Sequence, residues 1–194
     1  MPDELFDIVD ENNVVIGQEW RSVVHQRGLW HRGVHVFLFT RDGKLLVQQR
    51  SKNRDTFPSA LDCSVSEHLK AGENYWQAAV RWLQEELGLA GIDLDLLVEF
   101  GMNYGPNDNE FCQLYQGIVN PAHVRFDPGE VERVMYYTMS DLLALLRERR
   151  AVACYWFEQI VSWYLGKPSA LGVLRTSSSS IRVIRPGESP NCEN

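Results

Sequence analysis

Residues 72–89 read Gly-Glu-Asn-Tyr-Trp-Gln-Ala-Ala-Val-Arg-Trp-Leu-Gln-Glu-Glu-Leu-Gly-Leu, an order that suits an amphipathic helix stopping at Gly88. At helical spacing Ala78, Trp82, Glu85 and Glu86 fall along one face. Tyr75, Trp76, Ala79, Val80, Leu83 and Leu87 form an apolar stripe on the other, the side a core would take. Two adjacent carboxylates at the C-terminal end of a helix are unfavourable, because like charges repel and the negative end of the helix dipole adds to the cost. A divalent cation offsets that cost, since hard cations such as Mg²⁺ take carboxylate oxygens. A solvated acidic helix end is the plainer reading of the same pair.

The rest of the chain agrees with one enzyme-sized domain. It has 194 residues, 44% of them hydrophobic, enough to bury a substantial core. The net charge of −7 disfavours a general nucleic-acid-binding role. Cys63, Cys112, Cys154 and Cys192 are scattered without Cys-x-x-Cys spacing, which suggests reduced thiols and a cytoplasmic protein rather than a zinc knuckle or a disulfide scaffold. No run approaches membrane-spanning length, so no membrane partner is expected, and the acidic start Met1-Pro2-Asp3-Glu4 does not read as a signal peptide.

Strand signals occur in pairs ahead of the helix. Phe6–Val9 and Val14–Gly17 flank Asp10-Glu11-Asn12-Asn13, and Val34–Phe39 and Lys44–Gln49 flank Arg41-Asp42-Gly43, giving two hairpins. A further strand is expected over Asp62–Ser66, and others near Leu94–Phe100, Phe111–Val119 and Val131–Tyr137. Ser140 reads as the cap of a helix reaching about Arg149, and Tyr155–Leu165 as another. Mixed rather than alternating strands and helices point to an α+β fold. Residues 168–194, through the serine run at Ser177–Ser180, read as a loosely attached or mobile tail in which Ile181–Ile184 could add an edge strand.

The spacing around the helix resembles the Nudix box, Gly-x5-Glu-x7-Arg-Glu-U-x-Glu-Glu-x-Gly-U, in which U is a bulky aliphatic residue. Glu73, Arg81, Leu83, Glu85, Glu86, Gly88 and Leu89 match it; Glu67 stands for the opening Gly and Trp82 for the Glu after Arg81. The resemblance implies residues 1–167 as a Nudix domain with an N-terminal hairpin extension, its mixed β-sheet sandwiched by α-helices (α/β/α). It also implies Mg²⁺ or Mn²⁺ as cofactor and hydrolysis of a nucleoside or other organic diphosphate, in which water is aimed at phosphorus and the cation neutralises charge on the diphosphate.

A wider set of features is similar to the Nudix branch containing isopentenyl-diphosphate isomerase. It includes Val24-His25-Gln26-Arg27, His31-Arg32-Gly33-Val34-His35, Gln49-Arg50-Ser51, Phe57–Asp62, Ser64–His68, Asp108–Cys112 and Glu130-Val131. In those isomerases three histidines and two acidic residues hold a metal, and His25, His31, His68, Asp108 and Glu110 occupy the corresponding stretches. This chain departs in having His31 one residue nearer His25, Ser66 where the isomerase has its essential Cys, and an adjacent Glu-Glu pair the isomerases lack.

The resulting assignments are Glu86 and Glu110 as catalytic groups, Glu85, Glu86 and Glu67 as metal ligands, and Arg50 and His68 as substrate contacts. Glu67 is expected to stand in for the carboxylate lost at Trp82. Glu73 and Arg81 are expected to support the box loop through an ion pair. Trp82 either stacks on a substrate ring or fills the space of the missing carboxylate. The expected partner is a small organic diphosphate, with the aromatic C-terminal helix free to bury against its own domain or in a homodimer. The competing readings are a degenerate Nudix domain that binds without turnover and, ranked below it, an isopentenyl-diphosphate isomerase-like enzyme.

Overall fold

β3, residues His31–Phe39, is the strand around which the rest is arranged. Val34, Val36 and Leu38 turn to one face of the sheet and pack, with Leu46 of β4 (Leu45–Arg50), against Ala78, Ala79 and Leu83 of α2 (Tyr75–Leu87). Phe37 and Phe39 turn to the other face with Leu45 and Val47. There they meet Phe157 and Ile160 of α4 (Tyr155–Tyr164) and Leu142 of α3 (Met139–Arg147). A strand covered on both faces needs apolar residues on both, which explains why this one reads as a nearly continuous hydrophobic run. Helices on the two faces of a mixed sheet give the expected α/β/α layering. The computed structural model describes residues 3–105 and 107–177.

The sheet runs β10 (Gly172–Thr176), β7 (Asp95–Gly105), β8 (Asp108–Ile118), β3, β4, β5 (Leu61–Asp62), with β6 (Val65–His68) paired to β3 and β9 (Val131–Tyr137) to β4. β3 and β8 are parallel, with His31 opposite Glu110 and Val36 opposite Tyr115; the other pairings are antiparallel. The first hairpin, β1 (Leu5–Val9) and β2 (Val15–Trp20), forms a separate two-stranded sheet leading into α1 (Arg21–Arg27). Among the described residues no helix is long and apolar enough to cross a membrane.

α2 is closed at both ends by local chemistry. The Asn74 side chain accepts from the Gln77 N–H at 2.9 Å while the Gln77 side chain accepts from the Asn74 N–H at 3.0 Å, a reciprocal N-terminal cap. Gly88 terminates the helix at φ 65°, and a Cβ there would lie 2.9 Å from the Arg125 carbonyl oxygen, so both conformation and space require glycine.

Several expectations are corrected. The buried face of α2 is Ala78, Ala79, Trp82, Leu83, Glu86 and Leu87, whereas Trp76 is 53% exposed and Glu85 faces solvent. The strand expected over Asp62–Ser66 is interrupted at Cys63-Ser64, because Leu61–Asp62 pairs with β4 and Val65–His68 with β3. β3 and β4 share only Phe39 opposite Leu45 before diverging toward different partners. Thr138, not Ser140, caps α3: its hydroxyl accepts from the Asp141 N–H at 3.1 Å. Part of the stretch read as a loose tail is sheet, since Gly172–Thr176 pairs with β7 at the sheet edge. The Ile181–Ile184 strand lies outside the described residues.

Candidate active site

Four elements converge at the N-terminal end of β3. α1 brings His25, β3 starts with His31, β6 finishes with His68, and β8 starts with Asp108 and, two residues on, Glu110. The parallel register sets His31 opposite Glu110, and the antiparallel register sets Gly33 opposite His68. A Cβ at position 33 would overlap Glu110 Oε2 and lie 3.0 Å from Cys112 Sγ, so a side chain there would displace the Glu110 carboxylate from the cluster.

His25, His31, His68 and Asp108 each offer a ligand atom within 4.8 Å of the others. Asp108 Oδ1 lies 3.5 Å from His25 Nε2 and 3.9 Å from His31 Nε2, and Glu110 Oε1 lies 3.3 Å from His68 Nε2 and 3.8 Å from His31 Nε2. His31 Nε2 and Asp108 Oδ1 are buried without hydrogen-bond partners among the described residues. Orphaned buried polar atoms pointing at one another fit a cation-binding group.

Burial, helped by the rings of His68 and His25, pulls His31 down to about 4 against the opposing pull of Glu110. Burial lowers His68 too, but Glu110 outweighs it and raises His68 above its ordinary value. Burial would raise Glu110, yet His68 and then His31 and His35 hold it well below the usual carboxylate range. At neutral pH the His31 ring is therefore neutral and able to ligate. In metal-free protein its imidazole is expected to titrate near pH 4 by NMR, with stability falling as pH drops from 6.5 toward that value; a midpoint near 6.5 would contradict this environment.

A second cluster lies along the same cleft. Glu67 of β6, Glu86 of α2 and Glu130, just before β9, bring one oxygen each within 4.8 Å of one another. Arg54 reaches in from the β4–β5 connection, donating through Nη1 to Glu130 Oε2 and through Nη2 to Glu67 Oε1. Glu86 Oε2 is buried with no hydrogen-bond partner among the described residues. Burial first, and then the neighbouring Glu67, raise the Glu86 carboxyl well above its usual range, with Arg54 only partly opposing them. This cluster also fits a hard cation.

The cleft, about 280 Å³, is lined by Arg21, Arg50 and Arg54 together with Glu67, His68, Asp108 and Glu110. Ser66 and Tyr104 line it too, and His35 joins them beneath, with Nδ1 2.6 Å from the Ser66 hydroxyl and Nε2 3.0 Å from the Tyr104 hydroxyl. Cys112 bonds the Tyr104 hydroxyl at 3.2 Å and donates to Glu110 Oε2 at 3.3 Å, so hydrogen bonds run from Ser66 to Glu110.

The sequence assignments divide accordingly. Glu67 and Glu86 come together, but Glu85 does not join them: one residue turns the helix by about 100°, which leaves its side chain 45% exposed and 3.3 Å from Arg81. Glu110 belongs to the histidine cluster with His68, not beside Glu86. Arg50 lines the cleft, yet its Nη1 is engaged 2.9 Å from the fully buried Asp62, so it is not simply available to a substrate. Asp62 also accepts from the Trp156 indole at 2.7 Å and the Cys63 N–H at 2.8 Å, fastening α4 to the sheet. Arg81 forks onto Glu73 with bonds of 2.6 and 2.7 Å, and Glu73 accepts from the Lys70 N–H at 2.8 Å, tying the loop to the helix. Trp82 lies outside the cleft lining, its indole donating to the His68 carbonyl at 2.8 Å and stacking under Arg81, so it fills space rather than meeting a substrate ring. Sequence reasoning did not place Glu130 or Arg54 in the cluster with Glu67 and Glu86. Their signals were, for Glu130, its place ahead of an expected strand and in the Glu130-Val131 pair shared with the isomerase branch, and, for Arg54, the basic run Arg50, Lys52 and Arg54.

Residues 29–157 match the NUDIX domain family. An uncharacterized Nudix hydrolase of Yersinia pestis is 32% identical over 144 residues, covering 73% of this chain and 76% of its own length. One from Clostridium acetobutylicum is 37% identical over 123 residues, and the match spans only 59% of that relative's length and 59% of this chain. A crystal structure from Deinococcus radiodurans superposes with a TM-score of 0.69 at 27% identity, covering 82% of this chain and 98% of that one. The NUDIX domain of Shewanella oneidensis NrtR, solved with ADP ribose, has a TM-score of 0.55 at 18% identity, over 69% of this chain and 85% of that one; it shares the fold. The chain belongs to the Nudix family.

Proposed function

We propose that this chain is a divalent-cation-dependent hydrolase of the diphosphate linkage in a nucleoside or other organic diphosphate. The observation that carries this reading is the convergence of Glu67, Glu86 and Glu130 beside a cleft walled by arginines. These three carboxylates would hold Mg²⁺ or Mn²⁺, which when bound neutralises phosphate charge and makes water a better nucleophile. Arg21 and Arg54 supply charge for a diphosphate, and guanidinium groups engage phosphate oxygens in pairs. The ADP ribose held by the Shewanella domain is an organic diphosphate, which supports the substrate class. The buried thiols Cys63, Cys112 and Cys154 suit a cytoplasmic setting.

The test is release of monophosphate products, organic or inorganic, from a panel of organic diphosphates with Mg²⁺, with Mn²⁺ and with chelator. Release that requires metal supports the reading. No release, together with no metal binding, would replace it with a binding module.

The histidine cluster favours a second reading, an isomerase-like proton transfer on an allylic diphosphate, with Glu110 and the Ser66 hydroxyl at the cleft. Double-bond migration without phosphate release, lost in His68→Ala, would select it.

A further inference from the structure

The acidic cluster described above already contains a cation belonging to the protein. Arg54 is 8% exposed in its side chain and bridges Glu67 and Glu130, which are 7% and 24% exposed. One guanidinium bridges two carboxylates, and the third member of the cluster, Glu86, 2% exposed, keeps an oxygen without a hydrogen-bond partner among the described residues. The site is thus under-neutralised even with the guanidinium seated. Arg54 also stands on residues 51–60, the connection between β4 and β5, not on the rigid sheet, and it lines the open cleft beside Arg50. Its side chain therefore has carboxylates on one side and the cleft on the other.

We propose that Arg54 is the resident counter-cation of the Glu67–Glu86–Glu130 site and that a divalent metal ion and the Arg54 guanidinium bind this site in exchange for one another. The proposal rests on the metal-dependent reading above and adds its regulation. Metal entry breaks the Arg54–Glu67 and Arg54–Glu130 ion pairs and turns the guanidinium toward the cleft, where a diphosphate would lie. Metal loading and anion binding are then coupled through one side chain. A purely structural arginine makes the opposite prediction, because without it the three carboxylates would repel one another and lose their common focus.

Calorimetric titration of the full chain with Mg²⁺ alone separates these cases. Mg²⁺ is the probe because it favours oxygen ligands over the imidazoles of the neighbouring cluster. A competitor that occupies a site more than nine-tenths of the time depresses apparent affinity by about ten-fold or more, so Arg54→Gln is expected to bind Mg²⁺ tighter by at least about that factor. Arg54→Lys keeps one charge but cannot bridge two carboxylates; it should give a smaller gain in the same direction, and it decides the matter should Arg54→Gln fail to fold. The gain must disappear in Arg54→Gln/Glu67→Gln. Equal or weaker binding in both Arg54 variants, or a gain that survives loss of Glu67, overturns the exchange while leaving a metal-dependent enzyme intact. Absence of Mg²⁺ binding in wild type and variants overturns both the exchange and the metal-dependent reading.

Discussion

Glu86→Gln lowers turnover by about 10³-fold and raises the melting temperature of the metal-free protein. The first effect follows from removing the most deeply buried carboxylate of the acidic cluster; loss of one such group in electrostatic or general-base catalysis costs about 10²–10⁴ in rate. The second follows from the raised carboxyl. Native Glu86 keeps a proton that the unfolded chain releases above its ordinary value of 4.5, so wild type loses stability as pH rises from there toward the native value. Glutamine carries no such penalty. The gap in melting temperature between variant and wild type should therefore widen with pH in chelator, and narrow or reverse with saturating Mg²⁺, which stabilises only the form that binds it. Steady-state kinetics on the substrate found by the panel, with thermal melts across pH, check both halves. A variant with wild-type turnover would remove Glu86 from the mechanism.

Trp82→Ala has the largest expected effect on stability, about 3–5 kcal/mol, the usual range for deleting a buried tryptophan. The ring is 7% exposed, packs with Leu69 and Leu83 in the core under α2, and lies 4.3 Å beneath the Arg81 guanidinium. For a chain of this length each kcal/mol moves the midpoint by roughly 2–4 °C. Trp82→Phe retains most of the apolar area and loses the bond to the His68 carbonyl, for about 1 kcal/mol. That bond fixes the end of β6, from which Ser66, Glu67 and His68 enter the cleft, so Trp82→Ala should also weaken metal affinity. Urea unfolding and metal titration of the two variants check this. An alanine variant within 1 kcal/mol of wild type would mean the indole is not a structural wedge.

The helix of the box was legible because its spacing, its stop at Gly88 and its matching residues all lie within one local segment. Its phase was not fully legible: adjacent Glu85 and Glu86 look alike in a string of letters, but only the second is turned inward. Glu67 was reachable from the altered box, and Glu73–Arg81 from their spacing. Glu130 was not assigned, because it meets Glu86 only through the pairing of β9 with β4, which no local pattern encodes. Arg50 pointed to phosphate by residue type, yet its partner Asp62 comes from another strand. The histidine cluster was visible only through resemblance to the isomerase branch, since its members are gathered from α1, β3, β6 and β8. β10 and α1 escaped because short elements carry little periodic signal.

The parallel seam between β3 and β8 also governs which changes of length this protein can accept. His31 faces Glu110 across that seam, and the same strand carries both the α2-facing and the α4-facing core. Adding or removing a single residue within 31–36 or 110–115 would invert the strand, sending valines where phenylalanines belong and tearing histidine from glutamate in one event. The Arg41–Gly43 turn, or the exposed residues 148–150 after α3, lies beyond the seam and can lengthen without disturbing it. Variation in length should therefore accumulate at those outer connections, while the inner segments diversify only by substitution.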